Sequence, residues 1–213
     1  MALPLRRVAV PLAALIAVKV LGRRWMAHWG ATTEEIDAEL PGDEFVEGTD
    51  LTTTRAVTVH ARAAEIWPWI AQLGQGRGGF YSYDAAENLV GCDIHSAERI
   101  VSEWQDVVVG SEVRLAPEVA MTVAAVDPGR ALVLRGGIPT GRSRAPFDST
   151  WAFVLREEPD GTTRLVSRER YEYLTWWAAL VVEPASVVSF VMSRKMLHGI
   201  AERAERGVLA ARS

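Results

Sequence analysis

Apolar residues recur along this chain with different rhythms, and each rhythm predicts an element. From Leu51 to Ala61 they alternate, with Arg55, Val57 and Val59 on one side and Ala56, Thr58 and His60 on the other. A period of two in a stretch rich in threonine and valine predicts a strand. His60, at its end, reads as a surface residue. From Ala63 to Leu73 the spacing becomes helical: Ile66, Trp69, Ile70 and Leu73 share a face, and Gly74 is the stop. Pro68 falls inside this helix, which therefore either starts near Trp67 or kinks. The glycine-rich turn Gly74 to Gly79 then leads to Tyr81-Ser82-Tyr83-Asp84, which caps a second short helix ending near Gly91.

The second half reads as hairpins. Trp104 to Val109 leads into a strand ending near Leu115. Ala120 to Val126 and Ala131 to Arg135 flank Asp127-Pro128-Gly129-Arg130, a type II turn sequence. Gly136 to Ser149 reads as a long loop, suited to a lid or an interaction loop. Trp151 to Leu155 and Thr163 to Tyr173 form a further hairpin around Pro159-Asp160-Gly161. On its last strand Leu165, Ser167, Glu169 and Tyr171 face one way and Arg164, Val166, Arg168 and Arg170 the other. Trp176 to Val182 is strongly apolar. Pro184, placed at a first turn, opens a final helix toward Arg206, with Val188, Met192, Met196 and Ile200 as its stripe, widened by Val191 and Leu197. This order predicts an α+β fold.

The N-terminus differs from the rest. Val8 to Leu21 is an apolar run broken only by Pro11 and Lys19. As a helix it would span about 21 Å, short of the roughly 30 Å hydrocarbon core, with Lys19 able to snorkel. A membrane anchor or in-plane membrane helix, a secretory signal peptide and a helix docked on the domain all fit. The signal peptide lacks an A-x-A site, and Arg23-Arg24 stands in its place. Arg6, Arg7, Lys19, Arg23 and Arg24 all precede the first acid, Glu34, and flank the run on both sides, so orientation is open. Trp25 to Thr33 reads as a linker whose tryptophans sit at a membrane interface or on the domain edge. Residues 1–28 are thus a basic, apolar segment, and 29–213 the domain.

Composition narrows the chemistry. With 213 residues, 49% of them hydrophobic, the chain can bury a full core without staples. A net charge of −4 does not advertise nucleic-acid binding. The single Cys92 excludes an internal disulfide and a cysteine zinc cluster. His95 and Glu98 lack a second histidine at ligand spacing, so no metal and no cofactor is expected. The Gly74–Gly79 glycines follow no strand and precede no Gly-Lys-Ser/Thr, which excludes a P-loop or a dinucleotide fingerprint.

Taken together, Trp29-Gly30-Ala31-Thr32, Leu40-Pro41-Gly42-Asp43, Arg55-Ala56-Val57-Thr58, Trp67-Pro68-Trp69 through Gly76-Arg77, Tyr81-Ser82-Tyr83-Asp84, Glu87-Asn88, His95-Ser96-Ala97 and Arg194-Lys195-Met196 resemble a bacterial subgroup of the START-like (SRPBCC) superfamily. The likeness covers nearly everything from Trp29 to Gly207. Phe80 and Ala85-Ala86 depart from it. It implies the helix-grip fold, a curved antiparallel sheet wrapped around a long C-terminal helix with an apolar cavity between them. It implies no fixed chemistry, since the superfamily holds lipid carriers, hormone receptors, polyketide cyclases and co-chaperones.

The leading expectation is a cavity for a hydrophobic or amphipathic molecule such as a lipid, isoprenoid or polyketide-like compound, taken up at a membrane if residues 8–21 anchor there. Candidate ligand-binding residues are Trp69, Tyr81, Tyr83, Glu87, Asn88, His95, Trp151, Arg168, Met192 and Met196. Arg168 and Arg170 suit an anionic head group, or else pair with acids on the sheet. A cyclase/dehydratase-type enzyme would use Glu87 or His95 as acid or base inside the cavity. A membrane-associated interaction protein would instead fill its cavity and expose an apolar patch.

Overall fold

The computed structural model describes residues 20–137 and 145–212. A short helix over 20–27 (α1) precedes α2 (Thr33–Asp37), β1 (Leu51–Val59), α3 (Ala63–Ala71) and α4 (Asp84–Leu89). Five further strands follow: β2 (Glu112–Ala116), β3 (Val119–Asp127), β4 (Ala131–Arg135), β5 (Phe147–Glu157) and β6 (Thr163–Tyr173). The long helix α5 (Ala178–Arg212) ends the described chain. The strands form one antiparallel sheet in the order β1-β6-β5-β4-β3-β2, so first and last strands pair. Register shifts in the β2–β3 and β3–β4 pairs add bend to its far side. The curved sheet and the helix packed on it make the helix-grip fold.

The main core lies between sheet and helices. Val57 and Val59 of β1, Ile66 and Ile70 of α3, and Leu197 and Ile200 of α5 are all buried in it. Two elements are longer than their sequence suggests. β5 begins at Phe147 rather than Trp151, because residues 147–150 pair with the end of β6. α5 begins at Ala178, so Pro184 is interior to the helix; it stands on the exposed side, where a missing N–H costs least. Likewise α3 starts at Ala63 and runs through Pro68, with Glu65 accepting from the backbone N–H of Arg62.

The stretch read as a linker is partly helical. α1 is fastened to α5 by an Arg23–Glu183 ion pair at 2.7 Å and by Trp25 edge-on to Phe190. Of the apolar run 8–21, only residues 20 and 21 are described, and both are exposed in α1. No helix among the described residues is long and apolar enough to cross a membrane.

The arginine side of β6 explains how residues 30–46 are held. Thr32 and Glu35 make a reciprocal cap on α2, and Arg164 grips the Glu35 carboxylate through Nε at 2.8 Å and Nη2 at 2.7 Å. Arg168 is buried. It donates to Thr54 Oγ1, to the carbonyls of Glu35, Ile36 and Ala38, and to Asp43. These carbonyls belong to the end of α2, where orphan oxygens and the helix dipole favour a cation. Arg170 meets the other oxygen of Asp43 at 3.1 Å. Leu40, Ala56, Val154 and Val166 form a small second core beneath. Arg168 is therefore a structural clamp on the outer face, away from any ligand.

Arg168→Met should cost about 3–5 kcal/mol, because it leaves three carbonyls without their donor and Asp43 with Arg170 as its remaining cation. Urea unfolding checks this; a midpoint equal to wild type would show that the N-terminal segment is held by its small apolar core alone.

Candidate functional site: an apolar cavity with one polar end

Alternation along β6 turns Ser167, Glu169 and Tyr171 inward, opposite the arginines. Phe147, Ser149 and Trp151 of β5 join them, and α5 closes the other side with Val182, Ser189, Met192, Ser193 and Met196. Phe80, Ser82, Glu87 and Cys92, from the chain around α4, form a further wall. Together with residues of β2 and β3 and with Gly136, Gly137 and Pro146 they enclose a cavity of about 400 Å³. Its wall is mostly apolar: Phe80 stacks on Trp151, which tilts against Phe153 at 4.8 Å. The Trp151 indole N–H is satisfied by Ser167 Oγ at 3.0 Å.

The polar end is built on a buried ion pair. Arg55 Nη1 meets Glu169 Oε1 at 2.9 Å, and Arg55 Nε donates to the carbonyl of Met26 at 3.1 Å. Ser189 and Ser193 donate to the same carboxylate at 2.8 and 3.2 Å, and the Tyr171 hydroxyl donates to Oε2 at 3.0 Å. Burial and the adjacent Glu169 charge push the Tyr171 hydroxyl well above its usual pKa, so it stays a donor. Phe190 lies against the guanidinium, 5.9 Å from its ring centroid. Glu169 is thus neutralised and fully solvated by protein.

Glu87 is different. It lines the cavity, its Oε2 is shielded from solvent, and that oxygen has no hydrogen-bond partner among the described residues. Burial, with Asp84 nearby, pushes its carboxyl up to about 7. Asp84 itself is occupied by the backbone N–H of Ser96 at 2.7 Å and the Ser96 hydroxyl at 2.6 Å. Cys92, also in the wall, has its thiol pushed up by burial and by Glu87.

Four of the sequence candidates line this cavity: Glu87, Trp151, Met192 and Met196. The other six do not. Trp69 is in the core, edge-on to Tyr81 at 5.8 Å. Tyr81 is buried with a left-handed φ of 55°; its hydroxyl accepts from Gln72 Nε2 at 2.8 Å and the Arg203 guanidinium covers its ring. It joins α3 to α5 at the site where Gly199, lacking a side chain, lets the helix pass against the Tyr81 carbonyl. Tyr83 is exposed at the start of α4. Asn88 closes the loop after α4 through two hydrogen bonds to the Ile94 backbone, at 2.8 and 2.6 Å. The His95 side chain is 80% exposed and pairs with Asp93. Arg168 clamps the outer face.

Sequence reasoning missed Arg55, Glu169, Tyr171, Ser189 and Ser193. The signal was present in the alternation: a glutamate on the ring-and-leucine side of β6 has to be paired if it is buried. The α5 stripe also needs correction. Val188 and Val191 are exposed, and the serines take the inward positions. They do so because they hydrogen-bond Glu169.

No family profile and no curated protein matches this chain. Solved structures do resemble it: protein MLL2253 from Mesorhizobium loti (13% identity, 73% of this chain and 98% of that one, TM-score 0.43). CalU16 from Micromonospora echinospora is also similar (15%, 76% and 88%, TM-score 0.36), as is Ara h 8.0201 (12%, 73% and 98%, TM-score 0.40). These are helix-grip proteins. At such identities the likeness concerns the fold, and no activity passes across.

A carboxyl whose pKa is higher in the folded than in the unfolded chain holds its proton more tightly when folded. The stability it contributes is present in acid, below the unfolded value, and is lost as pH rises through about 7. Glu87→Gln should remove that loss. Thermal melting of variant and wild type should converge in acid and separate above neutrality, with the variant more stable; parallel curves would place Glu87 in free solvent.

Proposed function

We propose that this protein binds an apolar or amphipathic small molecule in the cavity between β3–β6 and α5, close to a membrane surface. The observation that carries the reading is the cavity itself: an apolar volume of about 400 Å³ whose polar groups gather at Glu169 and Glu87. Ligand sites are typically apolar with few orienting polar groups. A lipid, an isoprenoid or a polyketide-like molecule fits that description.

The membrane part of the proposal is supported by surface chemistry. Val20, Leu21 and Trp25 of α1 are exposed, and so are Leu180, Val187, Val188 and Val191 on α5. Trp176, just before α5, is 90% exposed. A cluster of this kind, next to an apolar and basic N-terminal sequence, suits the interface of a bilayer. Val181 is both exposed and part of the cavity wall, which puts the patch beside the ligand volume.

A cyclase/dehydratase reading is favoured by one observation, the cavity carboxyl of Glu87 with its pKa near neutrality. It loses His95, which faces solvent. The interaction-protein reading called for a filled cavity, and this one is open.

Native mass spectrometry of the full chain should show a stoichiometric apolar species. Met192→Trp, which fills the volume, should abolish that species and cut the fluorescence of a neutral apolar dye such as Nile red by about tenfold or more. Undiminished dye binding would move the ligand elsewhere. For the membrane, full-length protein should float with lipid vesicles, and a chain lacking residues 1–19 should stay in the soluble fraction with cooperative unfolding intact. Aggregation of the shortened chain would mean that the run packs on the domain instead.

A further inference from the structure

Within the cavity reading, charge identifies the ligand more closely. The charged side chains among the described lining residues are Glu87 and Glu169, and none is basic. Glu169 has its counter-charge in Arg55 and donors from Ser189, Ser193 and Tyr171. Glu87 has neither. Its neighbours on α4 and the following loop are Asp84, whose carboxylate is held by Ser96, and the Cys92 thiol. The other lining residues include the hydroxyls and thioethers of α5 and Glu169 of β6, which is paired with Arg55 of β1.

A carboxyl in such a place either keeps its proton or, once ionised, needs a donor, and a cationic donor meets its charge as well. A neutral apolar molecule leaves it protonated. An anionic head group repels it. A basic nitrogen supplies both the charge and the N–H, and a charge-assisted hydrogen bond is stronger than a neutral one. We propose that Glu87 is the recognition group of this cavity and that the ligand is an apolar molecule bearing a basic nitrogen, held with its amine at Glu87 and its hydrocarbon among Phe80, Trp151, Met192 and Met196. This rests on the cavity being the binding site. The Arg55–Glu169 cluster, which has its own donors, takes no part in binding the amine.

The probes are three molecules with one chain length and different heads: decylamine, decanol and decanoate. Their affinities for the full chain are measured by calorimetry on both sides of neutral pH. Decylamine should bind at least about tenfold tighter than decanoate, and the preference should grow as pH rises and Glu87 loses its proton. Glu87→Gln should lower decylamine affinity about tenfold and change decanol by less than about threefold. Unaltered melting of the variant in acid verifies that it is folded. Decanoate binding as tightly as decylamine overturns the assignment. So does an equal effect of Glu87→Gln on amine and alcohol. Failure of all three molecules to bind overturns the cavity reading and this inference with it, which separates the two failures.

Discussion

A charged pair taken out of water has to be solvated by the protein, and the Arg55–Glu169 pair imposes that demand on most of the molecule. Glu169 draws Ser189 and Ser193 inward from α5 and Tyr171 inward from β6. Arg55 reaches back to the carbonyl of Met26 at the end of α1. The register of β1 against β6, the rotation of α5 and the seat of α1 are all tied to one carboxylate and one guanidinium. Isolated burial of either would be strongly unfavourable; burial of both is tolerated because the two charges meet and Met26, Ser189, Ser193 and Tyr171 supply further hydrogen bonds. Such a pair specifies geometry more than it adds stability. Here the geometry is that of a cavity whose buried ion pair is satisfied by the protein, leaving Glu87 as the charged group in a mostly apolar wall.

The fold was legible because its local signals agreed with its tertiary structure. Alternation in β1 and β6, the helical face of α3 and the turn at Pro128-Gly129 each name an element that the sheet then uses. The cavity was only half legible. Trp151, Met192 and Met196 are apolar residues in periodic positions, which a pattern can find. The serines of α5 cannot be found that way. Between 187 and 193 the helix turns Val187, Val188 and Val191 outward and Ser189 and Ser193 inward, because the inward side meets a carboxylate. Hydrophobic periodicity assumes that the core is apolar, and it misplaces Val188 and Val191 where that assumption fails. Residues such as His95 and Asn88 were misplaced for a different reason. Their chemistry was visible, but the loop that follows α4 sets their direction, and loops have no period.

β6 separates two systems of charge. Its inner side carries Glu169 in the cavity wall, and its outer side carries Arg164, Arg168 and Arg170 under the N-terminal segment. The two share no side chain. The inner system meets α5 and the cavity; the outer one meets α2 and the turn at Asp43. A change in the cavity wall can therefore be made on one side of this strand with the attachment of residues 30–46 left as it is.

That attachment has an asymmetry of its own. Three of the groups that Arg168 holds in α2 and just beyond it are main-chain carbonyls, those of Glu35, Ile36 and Ala38. Every amino acid has a carbonyl, so the clamp reads the path of the chain and is blind to the side chains at Ile36 and Ala38. Arg168 itself therefore makes no demand on those two side chains, though Ala38 packs against the small second core. A search for residues that change together with Arg168 would find only Asp43 and Thr54, and would miss the contacts that are most numerous.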